Sequence, residues 1–178
     1  MLRRILSYGL LAGLIAGGVL SLIVLTVQDA IPSGYSMAIG YLTMLVALSL
    51  VFLAIKRHRD RELGGVIRFW PAFGLGLGVS FIASLIYMLS WEAALAISGL
   101  DFADTYARAM IEAQKAKGAS PEALARLAAD METFKAQYAN PLFRLPMTFI
   151  EIFPVGVLVS LISAAILRNP RVLPARLG

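Results

Sequence analysis

Three uncharged runs, each longer than a bilayer core requires, dictate what this chain can fold into. Between Arg4 and Asp29 lie 24 uncharged residues, between Asp29 and Lys56 there are 26, and 23 separate Arg68 from Glu92. A helix rises about 1.5 Å per residue and the hydrocarbon core is about 30 Å thick, so about 20 apolar residues cross it. Composition agrees: 59% of the 178 residues are hydrophobic and 15% charged, where a soluble domain is about 45–50% apolar. The chain has too much apolar surface to hide in its own interior, so lipid has to be part of its solvent.

A fourth run, Ile152 to Leu167, has only 16 uncharged residues, too few to span. Extending its helix back to Met147 supplies the missing turn and draws Glu151 into the bilayer. The reading is all-α: one domain over residues 1–178, an integral membrane bundle of four transmembrane helices at about 5–27, 36–55, 72–97 and 147–167. The first run follows Arg3 and Arg4 as a secretory signal would. Its 23 residues are too many, however, and no small-x-small cleavage pattern follows, so it is read as a retained span.

The connections differ in character. Gln28 to Tyr35, with Pro32 and Gly34, predicts a tight turn. Lys56 to Pro71 is short and basic. Ser98 to Pro146 is long enough for a helical hairpin over about 101–139. Asp101 caps its first helix and Gly118 stops it; Ser120-Pro121 opens the second. Leu124, Leu127, Met131, Phe134 and Tyr138 then form an apolar stripe facing Phe102, Tyr106 and Met110. Glu122, Arg126 and Asp130 are spaced for i,i+4 pairing beside it.

Charge orients the bundle. The termini and the second connection together hold ten basic residues against Asp60 and Glu62, while the other side holds six basic residues against seven acids. Positive charge stays in the cytoplasm, so both termini are expected inside and the hairpin in the periplasm of a bacterial inner membrane. The net +5 therefore reflects membrane orientation and not nucleic-acid binding. The juxtamembrane cluster Lys56-Arg57-His58-Arg59-Asp60-Arg61 reads as a topology signal, with recruitment of anionic lipid as its alternative.

Two acids remain that lipid should reject without a reason, Glu92 and Glu151. Counting from Ala72, Glu92 comes about 30 Å up the third span; counting inward from Met147, Glu151 lies about 6 Å below the same edge. They are thus expected at a similar depth beneath the hairpin, with Trp91, Tyr138, Asn140, Arg144 and Gln28 near that level. Pro154 lacks an N–H, so the carbonyl of Ile150 loses its partner and a kink is expected beside Glu151. Glu92, Glu151, Asn140, Arg144, Trp91 and Pro154 form a candidate polar pocket open to the outside. At least one of its glutamates should carry a proton or a salt bridge. Its occupant would be a proton, a small cation or a lipid headgroup. The plainer reading is a Glu–Arg144 pair and a Trp91 anchor that fix helix ends.

Small residues at four-residue spacing, Gly9, Gly13, Gly17 and Ser21 on the first span and Gly76, Ser80 and Ser84 on the third, allow close helix approach. They serve packing within the bundle, or a homo-oligomer. Cysteine is absent and His58 is the single histidine, which excludes disulfides, thiol catalysis and His-based metal or triad sites. No zinc-protease, nucleophile-elbow or phosphate-loop pattern occurs, so no metal or cofactor is expected.

Several polar and Pro/Gly motifs resemble the domain-of-unknown-function 4199 family of small bacterial membrane proteins. They are Gly40-Tyr41-Leu42-Thr43-Met44, Gly64-Gly65-Val66-Ile67-Arg68-Phe69 and Ala83-Ser84-Leu85-Ile86-Tyr87 leading to Trp91-Glu92. The most specific are Tyr138-Ala139-Asn140-Pro141 and Met147-Thr148-Phe149-Ile150-Glu151 with Pro154-Val155-Gly156. The resemblance covers nearly the whole chain; it implies a four-span unit in a bacterial inner membrane and supplies no activity. The expectation is a non-enzymatic inner-membrane protein binding a proton, small cation or lipid headgroup at the outer cluster. The alternative is a structural or assembly module engaging a partner membrane protein through its hairpin or glycine faces. An enzyme using the two carboxylates as acid and base ranks last.

Overall fold

The computed structural model describes residues 1–26 and 34–174, and the side chains of residues 26 and 34–38 are left undescribed. Gln28, Asp29, Pro32, the turn expected around them and Arg176 lie outside the described residues. Six helices follow in order: α1 (Leu2–Thr26), α2 (Gly34–Glu62), α3 (Phe69–Ser98), α4 (Phe102–Ala116), α5 (Pro121–Tyr138) and α6 (Pro141–Leu167). Four of them, α1, α2, α3 and α6, are long and apolar enough to cross a membrane, so the chain is a multi-pass helical membrane bundle. The short α4 and α5 form a hairpin between the third and fourth spans.

Helix α3 sits at the centre, packed between α1 and α6, with α2 against α1 and α6. In lipid, helices gain no hydrophobic driving force from meeting, so close van der Waals fit and hydrogen bonds hold them. Small residues supply both. A Cβ built on Gly9, Gly13 or Gly17 of α1 would collide with Ile82, Ile86 or Ser90 of α3. The glycine face of α1 is thus already occupied inside the bundle. On the opposite face of α3, Ser80 Oγ donates to the carbonyl of Gly156 at 3.0 Å and lies 3.1 Å from Ser160 Oγ, all buried against α6. Gly76 meets Ser160 and Gly156 meets Ser80 in the same seam.

Two helices run further than their uncharged stretches. Helix α2 continues through Lys56–Glu62 instead of breaking into a basic loop. Lys56 pairs with Asp60 at 2.5 Å on the same helix face, and long basic side chains reach water from a helix end by extending their stems. The chain turns only after Glu62, where Gly64 and Gly65 take positive φ. Arg59 is fully buried at this end. It bonds Asp60 Oδ1 at 2.7 Å and donates to the carbonyls of Leu167 (3.4 Å), Val172 (3.0 Å) and Leu173 (2.5 Å), which ties α2 to the end of α6. Glu62 accepts from Arg4 Nε of α1 at 2.5 Å. It also stands 2.7 Å from His58 Nδ1, without the alignment of a hydrogen bond.

Helix α6 begins at Pro141, six residues before Met147, because Asn140 Oδ1 caps it by accepting from the Leu142 N–H at 3.0 Å and proline is tolerated at the first helical position. The helix then runs on through Pro146 and Pro154.

The α1–α3 seam yields a test. Gly13→Ala places its Cβ 2.5 Å from Ile86 Cβ and 2.9 Å from the carbonyl oxygen of Ala83, and such overpacking costs about 1–3 kcal/mol. Its thermal midpoint in detergent should fall below wild type. Gly74→Ala, which enters open space, should leave the midpoint unchanged.

Candidate functional site at the hairpin end

The hairpin is built from local signals. Asp101 Oδ1 caps α4 by accepting from the Asp104 N–H at 3.0 Å, and Ser120 Oγ caps α5 by accepting from Ala123 N–H at 3.3 Å. Gly118 turns the chain between them at φ +76°. The two helices meet through rings: Tyr106 and Phe134 have centroids 5.6 Å apart, and Phe102 and Tyr138 5.4 Å. Lys135 of α5 bonds Asp104 of α4 at 3.0 Å, and Asp104 also holds Arg108. The ammonium of Lys135, then the guanidinium of Arg108, keep the Asp104 carboxyl below the usual carboxylate range, while Asp104 and then Glu132 raise Lys135. No ion pair involving Glu122, Arg126 or Asp130 forms among the described residues.

Where the hairpin meets the bundle, four side chains interlock. Arg144, one turn into α6, grips Glu92 of α3 with both ends of its fork: Nε to Oε1 at 2.7 Å and Nη2 to Oε2 at 2.5 Å. Bidentate pairs of this kind are among the stronger hydrogen-bonded contacts. Arg144 Nη1 also donates to the carbonyl of Tyr138 at 3.3 Å, and its guanidinium lies 5.5 Å from the Tyr138 ring centre. Trp91 Nε1 donates to the Tyr138 hydroxyl at 2.8 Å and stacks edge-on against Phe102 at 5.0 Å. With 7% of its surface exposed, Trp91 is a buried joint and not a lipid-facing anchor. Burial, opposed by the Trp91 hydrogen bond, pushes the Tyr138 hydroxyl up to about 12.

The structure separates the two acids. Glu92 shares a level with Arg144, but Glu151 lies seven residues further along α6, about 10 Å deeper. It comes instead to about the depth of Tyr87 on α3, within electrostatic reach of that hydroxyl. The reason is the early start of α6: the level shared with Glu92 falls at Arg144, three residues before Met147, so Glu151 lies about 4.5 Å deeper than a count from Met147 gives. Asn140 is spent on the α6 cap. Pro154, three residues past Glu151, leaves the Ile150 carbonyl without its helical donor.

Beside the Glu92–Arg144 pair is a cavity of about 700 Å³ between hairpin and bundle. Asp101, Glu132, Lys135 and Arg144 bring both signs of charge to its wall, and Leu95, Leu100, Phe102 and Tyr138 bring apolar surface. Its volume falls in the range of about 300–1,000 Å³ typical of small-molecule sites. Of this lining only Arg144 stood out in the sequence as a pocket residue, and no pattern there signalled a cavity. Lys135 and Asp101 carried only ordinary hairpin roles, because nothing in their spacing shows that α5 folds back over α3. Among the described residues no group of three or more acidic, histidine or cysteine side chains is placed to hold a metal ion.

A family model described as a protein of unknown function (DUF4199) matches residues 7–169. No curated protein matches the chain, and no solved structure does.

Two outcomes follow from the joint. Arg144→Gln strips Glu92 of its partner and should lower stability by about 1–3 kcal/mol. Glu92→Gln with Arg144→Gln should cost less than the two single changes added, as a double-mutant cycle by thermal denaturation would read. The hairpin tether also has a pH window. Asp104, depressed when folded, stabilises above its unfolded value and loses that contribution as pH falls through the folded one. Lys135, raised when folded, contributes below its unfolded value and loses that contribution as pH rises through the folded one. Near-UV circular dichroism of the hairpin rings should hold steady between those limits and weaken slightly in acid. Asp104→Asn should flatten the acid limb.

Proposed function

The chain belongs to the DUF4199 family of proteins of unknown function, and on that footing we propose that it is a non-enzymatic membrane protein holding a lipid headgroup at the hairpin end. The observation that carries this reading is the mixed lining of the junction cavity. Glu92 is neutralised by Arg144, which disfavours a bare cation or proton at that carboxylate. A zwitterionic headgroup fits better. Its phosphate would meet Arg144, which has two of its five N–H groups left over after bonding Glu92 and Tyr138, and Lys135. Its amine would meet Asp101 or Glu132.

Leu95, Leu100 and Phe102 give the cavity an apolar wall, and Ile97 and Leu142, near these residues and Arg144 in the chain, are exposed. An amphiphile thus has a place for its head and apolar surface for its tail, which a soluble ion does not need. The setting is a bacterial inner membrane with both termini in the cytoplasm, supported by the charge difference between the two ends of the bundle. The cavity then opens on the periplasmic side. A second reading is supported by the interlocked Trp91–Tyr138 and Arg144–Glu92 contacts: they would brace the hairpin as a platform for a partner membrane protein.

Purified protein in nanodiscs of phosphatidylethanolamine mixed with phosphatidylcholine separates these readings. By native mass spectrometry the wild type should retain phosphatidylethanolamine preferentially. Ala136→Trp, which fills the cavity from an exposed position, should lose that lipid while keeping its helicity, and Lys135→Ala should weaken retention. Equal lipid retention in wild type and Ala136→Trp rejects the headgroup site. A stoichiometric membrane partner lost on Leu127→Glu would favour the platform.

A further inference from the structure

A second polar contact lies deeper in the bundle and takes no part in the junction cavity. Helices α3 and α6 have 30 and 27 residues, about 45 and 40 Å, so each overhangs a core of about 30 Å. With each helix centred in the bilayer, Glu92 and Arg144 fall at the hydrocarbon edge. Tyr87 and Glu151 fall about 10 Å inside it.

Glu151 belongs to the outward face of α6, in line with Met147, Pro154 and Leu158, all exposed on the bare bundle and therefore turned to lipid. Its carboxyl is within electrostatic reach of the hydroxyl of Tyr87, a residue only 3% exposed. The nearby charged and titratable groups are few. Arg144, two turns up α6, has its fork closed on Glu92. Tyr41 of α2 and Tyr138 of the hairpin are the other neighbours, and both are phenols. From α1 come Ala16, Val19, Leu20 and Ile23, which line a void of about 30 Å³ behind Tyr87 and carry no ionisable group. Thr43 on the same void spends its hydroxyl on the Ile39 carbonyl at 2.9 Å. Among the described residues no cation is placed to pair with Glu151.

An ionised carboxylate turned to hydrocarbon without a counter-charge is costly, and such residues in membrane spans mark proton or ion sites. We propose that Glu151 is a proton-binding site in the membrane interior, closed by the Tyr87 hydroxyl. The protonated acid donates to Tyr87; once the proton leaves, Tyr87 donates to the carboxylate. The site is separate from the headgroup cavity and stands or falls without it.

Dicyclohexylcarbodiimide tests this directly, since it partitions into lipid and adds to neutral carboxylic acids with no leaving group. The full chain in nanodiscs should gain an adduct at Glu151, located by peptide mass spectrometry, and none at Glu92. Labelling should fall by about tenfold or more as the pH is raised and the acid loses its proton. Glu151→Gln should abolish the adduct. Tyr87→Phe, which keeps the ring that fills the core, should displace the pH midpoint. No adduct at Glu151 at any pH, or labelling independent of pH, overturns the proposal. An unmoved midpoint in Tyr87→Phe overturns the part given to the hydroxyl. Loss of phosphatidylethanolamine retention with labelling intact would sink only the headgroup reading.

Discussion

Lipid gives two apolar helices no reason to prefer each other over acyl chains, so a bundle of this kind depends on how tightly its backbones fit. Here that constraint falls on α3. Gly9, Gly13 and Gly17 let α1 lie flush against one side of it, and Gly76 with the Ser80–Gly156–Ser160 seam brings α6 against the other. The reach of Arg144 to Glu92 and the approach of Glu151 to Tyr87 depend on that closeness. A wider spacing would take Arg144 out of reach of Glu92 and leave Glu151 facing lipid with no hydroxyl behind it.

The two ends of the bundle spend their charges differently. At the basic end both acids are engaged: Asp60 by Lys56 and Arg59, Glu62 by Arg4. Arg59 closes that end by donating to the carbonyl of Leu167, one of those a helix terminus leaves without partners, and to those of Val172 and Leu173 beyond it. At the hairpin end the joint is aromatic as well as ionic, with Trp91, Phe102 and Tyr138 in mutual contact around Arg144. The first end is built for anchoring. The second borders an open cleft.

What can be read from the sequence follows the range of the interaction. Caps at Asp101 and Ser120 act over three residues, so the two hairpin helices are legible in the order of residues along the chain. The exposed pairing expected of Glu122, Arg126 and Asp130 fails to form, since such contacts contribute only about 0.2–0.5 kcal/mol and side-chain entropy competes with them. The expected basic loop at Lys56 is helix instead, because charge marks where lipid ends and not where a helix ends. The shared level expected of Glu92 and Glu151 is lost to one cap: Asn140 starts α6 six residues early and carries Glu151 down with it.

Run length and period along one chain are enough to set the solvent, the number of spans and the small-residue faces, and all three are written in the residue order. So is the oddity of Glu92, Glu151 and Arg144, charged groups in or beside apolar runs that call for a partner. Which partner each one finds is a matter of packing: Arg144 answers Glu92, and Tyr87 answers Glu151. The cavity is likewise a product of packing, arising where α5 folds back over the end of α3. Those pairings join residues 52 and 64 positions apart in the chain, and depth in a bilayer is set by where each helix starts, which no local pattern around the acids records.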